Sequence, residues 1–167
     1  MIKGQPVAFR PQDSELCETF NLAMDATGAD LTELIQRAIK HGLDQAVQEY
    51  DEIVLASLSL GTVVSFDVLK QSADRYKIAS WFTTGSPLAK LRRVGARPSD
   101  LGVIAPANVA RWLNLYDTTD IIADAIGPQF PDYRLYDVFV QVGNDPISAH
   151  DYFNNGETLD LLADAMR

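Results

Sequence analysis

The stretch Asp51-Glu52-Ile53-Val54-Leu55-Ala56-Ser57-Leu58-Ser59-Leu60-Gly61-Thr62-Val63-Val64 decides how the rest of the chain is read. Ile53 to Ala56 is a short apolar run rich in β-formers, the pattern of a strand buried on both faces. Ser57 to Gly61 is a tight connection, and from there Leu60, Val63, Val64 and Val68 fall at helical spacing. A strand that turns at once into a helix, with Ser59 at the corner, has the geometry of a nucleophile elbow. The usual pattern is G-x-S-x-G; here Ser57 stands in place of the first glycine. Such a corner strains its central residue and lifts the hydroxyl clear of the sheet. It also predicts small residues at 57 and 61, where strand and helix cross closely. The helix that follows aims unpaired N–H groups at the corner, which favours developing negative charge there. The same residues also suit a plain strand–turn–helix of an α/β fold.

Upstream, Asp30 is a predicted helix cap with Glu33 three residues on. Leu31, Leu34, Ile35, Ala38, Leu43, Ala46, Val47 and Tyr50 keep one helical phase through Gly42, so a long helix is expected to end near Tyr50. His41 on that helix reads as solvated. Val7, Ala8 and Phe9 form a short predicted strand stopped by Pro11, and Glu15 to Met24 a weak helix. Cys17 in it reads as a small buried apolar residue.

Downstream, the spacing predicts a helix from Leu60 to about Ala73 and strands at Lys77 to Thr84, Arg111 to Tyr116 and Tyr133 to Val142. Trp81 and Trp112 are expected in the core. Arg92 to Asn108, rich in Gly, Pro and Ala, is an expected irregular excursion, and Gly127 to Pro131 a loop. A closing helix is expected over Glu157 to Met166, with Leu159, Leu162 and Met166 on one face. Strands alternating with helices and loops predict a single α/β domain over residues 1–167, a three-layer sandwich with a mostly parallel sheet. In such sheets ligands gather at the carboxyl ends of the strands. Ser59, the pair Asp117 and Asp120, and His150 all fall there by sequence.

Composition narrows the classes of function. At 167 residues, 47% of them apolar and 22% charged, the chain suits one globular domain with a real core. The net charge of −9 argues against nucleic acid and against anionic membrane surfaces as partners. No apolar run reaches transmembrane length, and Met1 to Pro6 lacks the apolar core of a signal peptide, so a cytoplasmic location is expected. A single cysteine excludes an internal disulfide; neither a metal nor a cofactor is expected.

A serine hydroxyl needs a base to take its proton, and a carboxylate to hold that base in the right tautomer. The chain order Ser59, Asp120, His150 is that of the α/β-hydrolases, and only two histidines are present. The chain resembles that family, in particular its bacterial esterase- and lipase-like members. Four segments carry the likeness: the elbow strand, the turn Thr84-Gly85-Ser86-Pro87-Leu88, the stretch Trp112-Leu113-Asn114-Leu115-Tyr116-Asp117-Thr118-Thr119-Asp120, and Ser148-Ala149-His150-Asp151-Tyr152.

The resemblance implies an N-terminally reduced α/β-hydrolase-like fold and a serine hydrolase acting on a small or lipid-like ester through an acyl-enzyme. Ser59 would be the nucleophile, His150 the general base, Asp120 its orienting acid, and the Leu60 N–H an oxyanion donor. Asp117 is the rival acid, with a loop carboxylate bonding its own backbone as its alternative reading. Asp124 reads as a solvated helix residue, and Ser86 as shaping its turn. Ile121 stands where the family has proline, and Leu58 where it often has histidine. About fifty residues precede the elbow strand, fewer than the family supplies. The one His-Gly before the elbow, His41-Gly42, lies in helical phase. Val7 to Phe9 with Arg10 to Asp13 would be a shortened counterpart of the family's second oxyanion loop. The competing expectation is a non-catalytic, degenerate relative that acts by binding.

Overall fold

A computed structural model describes residues 28–93, 106–132 and 134–167. The predicted strand and loop at Val7 to Asp13, the weak helix at Glu15 to Met24 with Cys17, and residues 94–105 of the expected excursion lie outside the described residues. Helix α1 (Gly28–Glu49) leads to β1 (Ile53–Leu58), α2 (Leu60–Gln71), β2 (Ile78–Thr84), α3 (Leu88–Arg93), β3 (Trp112–Tyr116) and β4 (Leu135–Phe139). Two 3-10 turns, Ser148–His150 and Tyr152–Asn154, precede α4 (Gly156–Ala165). The four strands form one parallel sheet in the order β1-β2-β3-β4, an α/β architecture. No helix among the described residues is long and apolar enough to cross a membrane.

The parity of the strands sorts the core. Leu55, Trp81, Trp112 and Leu135 share one register row and join a cluster with Phe66 and Val63 of α2 and Leu43 of α1. The two indoles stack at 4.6 Å between centroids, with Phe66 and Phe130 tilted against them. Residues of the other parity, Val54, Phe82, Leu113 and Val138, pack with Leu161 and Leu162 of α4. Tyr76 anchors α1 by donating to Asp44 at 2.7 Å, and Arg75 pairs with the same carboxylate.

One step nearer the carboxyl edge, Ser57, Thr83, Asn114 and Asp137 align across all four strands. Trp81 Nε1 donates to Ser57 Oγ and Trp112 Nε1 to Thr83 Oγ1, each at 3.0 Å. Thr83 Oγ1 donates to Asn114 Oδ1, and Asn114 Nδ2 to Asp137 Oδ1. Asp137 then accepts from the Ile126 and Gly127 amides, and Asn114 Nδ2 also reaches the Asp124 carbonyl. The row therefore satisfies its own buried polar groups and fastens the loop after β3 to the sheet.

Several expectations need correction. Among the described residues β1 lies at the edge of the sheet, and it is not buried on both faces: Ala56 is exposed and Val54 and Leu55 are half-buried. The first helix begins at Gly28, so Asp30 lies inside its first turn rather than at its cap. Part of the expected irregular excursion after β2 is helical, since Arg92 and Arg93 close α3. Asp124 is not on a helix; its carboxylate pairs with Arg93 and lies 3.7 Å from Lys90. A Cβ at Gly61 would meet nothing within 4 Å, so no close crossing demands glycine there.

Candidate active site

The carboxyl edge of the sheet collects the residues singled out by sequence. Ser59 is the only non-glycine residue with positive φ among the described residues, at φ 53° and ψ −129°. That region is costly for a side chain, so neighbours must hold it. Ser59 N–H donates to the Thr84 carbonyl at 2.9 Å. Its own carbonyl accepts from Thr62 N–H at 3.0 Å and Thr62 Oγ1 at 2.7 Å. Because Thr62 spends its proton on Ser59, Ser86 Oγ donates to Thr62 Oγ1 at 2.8 Å. Ser86 also accepts from Leu88 N–H, which makes it the turn-shaping residue expected. Ser57 is buried beneath the corner, accepting from Trp81 and donating to Ser65 Oγ at 2.9 Å. Leu60 opens α2, so its N–H has no intrahelical acceptor.

Asp120 and His150 come together at the ends of β3 and β4. His150 Nδ1 lies 2.7 Å from Asp120 Oδ2. The Asp120 side chain is fully buried and that of His150 is 24% exposed, so the imidazole is partly open to solvent. Asp120 Oδ1 accepts from Ile122 N–H at 2.8 Å, fixing the carboxylate on its own loop. Helix α3 grips that loop: Lys90 Nζ donates to the Ile121 and Ala123 carbonyls while Arg93 pairs with Asp124. His150 is presented by a turn in which Asp145 Oδ1 accepts from Ile147 and Ser148 N–H groups. The turn lies so close to Gly143 that a Cβ there would stand 2.4 Å from Ser148 C and Ala149 N.

Asp117, the rival acid, is otherwise engaged. Its Oδ1 accepts from Thr119 N–H, and its Oδ2 from Val142 and Gly143 N–H, at 2.7, 2.7 and 3.2 Å. Burial by itself would raise the Asp117 carboxyl, but those N–H groups outweigh it and hold it below the usual carboxylate range. It joins the loop after β3 to the strand end that leads to His150.

Gly85 links the elbow to the imidazole. Its φ is +58°, and a Cβ on it would stand 2.7 Å from His150 Cε1 and 3.0 Å from both His150 Nδ1 and Tyr152 Cε2. The ring of His150 thus lies against the residue that follows Thr84, whose carbonyl holds Ser59. Among the described residues no hydrogen bond joins Ser59 Oγ to His150 Nε2. The structure therefore pairs Asp120 with His150 directly and places Ser59 one strand end away.

Tyr152 was given no role by sequence, yet it is fully buried in the site. Its hydroxyl accepts from Asp117 N–H at 2.8 Å and donates to Asp120 Oδ2 at 3.2 Å. The only sequence signal was its place two residues after His150. His41 is exposed on α1, and His41-Gly42 is helical. Among the described residues no group of three His, Cys, Asp or Glu side chains is arranged to hold a metal. A depression of about 450 Å³ lined by Ala110, Arg111, Arg134 and Tyr136 lies at the amino ends of β3 and β4, away from this edge. Compared with family models, curated proteins and solved structures, the chain matches none.

Proposed function

We propose that the chain is a serine hydrolase with an α/β-hydrolase-like, three-layer fold that cleaves an apolar ester through an acyl-enzyme. Ser59 is the nucleophile, His150 the general base, Asp120 the orienting acid, and the Leu60 N–H one oxyanion donor. The observation that carries this reading is the pairing of His150 with the buried Asp120 carboxylate, beside a serine held at positive φ on the same sheet edge.

In the first step Ser59 Oγ attacks the ester carbonyl while its proton passes to His150 Nε2, and charge gathers on the carbonyl oxygen facing the Leu60 N–H. Collapse breaks the C–O bond, and the leaving alkoxide takes the proton from His150. Water then repeats the sequence on the acyl-enzyme, returning Ser59 and releasing the acid. Leu60, Ile121 and Ile147, adjacent or close to the three site residues in sequence, are 55%, 70% and 86% exposed, which supports an apolar ester as substrate.

The test is labelling with a fluorophosphonate probe, with hydrolysis of p-nitrophenyl esters of graded chain length alongside. Wild type is expected to label and Ser59→Ala to lose the label; equal labelling of the two overturns the assignment. The missing Ser59–His150 hydrogen bond favours a second reading, an α/β domain that only binds. Catalytic hydrogen bonds often tighten only when substrate arrives, so this geometry alone does not decide against catalysis. Ester turnover that disappears in His150→Ala rules the second reading out.

A further inference from the structure

We infer that Tyr152 is a positioning residue of the acid–base pair, fixing Asp120 and sharing its charge with His150. The consequence for rate rests on the hydrolase reading; the hydrogen-bond relation does not. The direction of the bonds follows from simple chemistry. Asp117 N–H can only donate, so the phenol oxygen accepts there and its own proton is free for Asp120 Oδ2. That same oxygen faces His150 Nδ1 at 2.7 Å, so one carboxylate oxygen serves two donors. Burial, with the Asp120 and Asp117 carboxylates nearby, pushes the phenol far above its ordinary value, so it stays a donor at any working pH. The Tyr152 ring also meets His150 edge-on, at 6.1 Å and 85°.

The groups that set the local field come from several elements. Asp117 lies beyond the phenol, and Asp151 turns its carboxylate to Asn154 on the same loop. Lys90 and Arg93 of α3 reach the acid loop at Ile121, Ala123 and Asp124. None of these donates to Asp120 Oδ2; among the described residues Tyr152 and His150 do. Removing the phenol proton therefore concentrates the carboxylate charge on the imidazole N–H and frees Asp120 from its second anchor.

The test is the downfield proton NMR signal of His150 Nδ1–H in the full chain, assigned by its loss in Asp120→Asn. Exposed His41 gives no such protected proton. Tyr152→Phe is expected to move the signal downfield and to slow fluorophosphonate labelling, by about 10²-fold where the pair shifts by about 1 Å. Replacing Tyr152 with 3-fluorotyrosine, a stronger donor that keeps both bonds, is expected to move the signal upfield. It decides the matter if Tyr152→Phe does not fold. A signal unmoved in the folded variants overturns the inference even where Ser59 labels normally. A signal that moves as expected in a protein that never labels upholds the inference and sinks the hydrolase reading instead.

Discussion

Asp117→Asn and Asp120→Asn change the same atom three residues apart, and the structure requires them to fail differently. An asparagine at 117 has one acceptor oxygen where the carboxylate has two. Turned toward Val142 and Gly143, it leaves Thr119 N–H facing an amide NH2; turned the other way, it abandons two N–H groups. Each buried group left without a partner costs about 1–3 kcal/mol, so the variant should lose about 2–5 kcal/mol. For a chain of this length that lowers Tm by about 5–15 °C. At 120, asparagine keeps its oxygen for Ile122 N–H and offers NH2 to His150 Nδ1, which accepts it by changing tautomer, while the Tyr152 phenol proton loses its acceptor. With one buried donor left unpaired, the stability cost is about 1–3 kcal/mol. The proton now sits on Nε2, however, and on the proposed hydrolase reading labelling of Ser59 should fall about 10⁴-fold, the loss this change causes in a serine triad. Acid titration adds an independent check. Because the folded Asp117 carboxyl lies below its unfolded value of 3.8, its contribution to stability is present above that value and is lost as pH falls through the folded one. Asp117→Asn should therefore flatten the loss of stability below about pH 4. Urea unfolding and probe labelling on both variants supply the measurements. Labelling abolished by Asp117→Asn with stability intact, and a silent Asp120→Asn, would show that the roles are exchanged.

Gly85→Ala places a methyl 2.7 Å from His150 Cε1 at a backbone φ of +58°, so it should cost about 1–2 kcal/mol in backbone strain and displace the imidazole. Slower labelling with a shifted His150 resonance is the expected result; an unchanged ring signal would mean that the contact is relieved elsewhere. Burial first, then the hydrogen bond to Asp44, pushes the Tyr76 phenol up to about 12. Its contribution to stability is thus full below the unfolded value of 10 and is lost as pH rises from there through about 12. In Asp44→Asn the alkaline loss should be smaller, as read by urea midpoints with phenolate absorbance followed alongside.

The elements that sequence made legible are those whose signal is local. β1 and α2 were visible because a run of β-formers passes without a gap into helical spacing, and the structure spends a single residue, Ser59, between them. α1 and α4 were visible for the same reason, to within a few residues of their ends. α3 was missed because six residues carry too little periodicity, and Arg92 and Arg93 fell in the expected irregular excursion. An apolar run also cannot report how much of its strand is covered, so the burial of β1 on both faces was read wrongly. Asp124 needed partners more than thirty residues away to be understood, and Tyr152 takes its place only through Asp117 and Asp120. Pairing is a property of the folded chain, and neighbouring residues do not encode it.

Ser57 shows how a departure from a motif is judged once the fold is in hand. As a sequence feature it weakened the elbow, since the usual residue is glycine. In the structure its hydroxyl accepts the Trp81 indole proton and donates to Ser65, both buried. A glycine here would leave that indole N–H without its acceptor in the middle of the aromatic cluster, at a cost of about 1–3 kcal/mol. The serine at 57 and the tryptophan at 81 are therefore one choice made at two positions. Glycine is a sufficient solution to a tight corner; a small residue whose one polar group is fully used is another. The corner's strain is held elsewhere, by Thr84 and Thr62 on either side of Ser59, and those contacts do not pass through the Ser57 side chain. The variant pattern thus bears on the core under the elbow and leaves the geometry of Ser59 untouched.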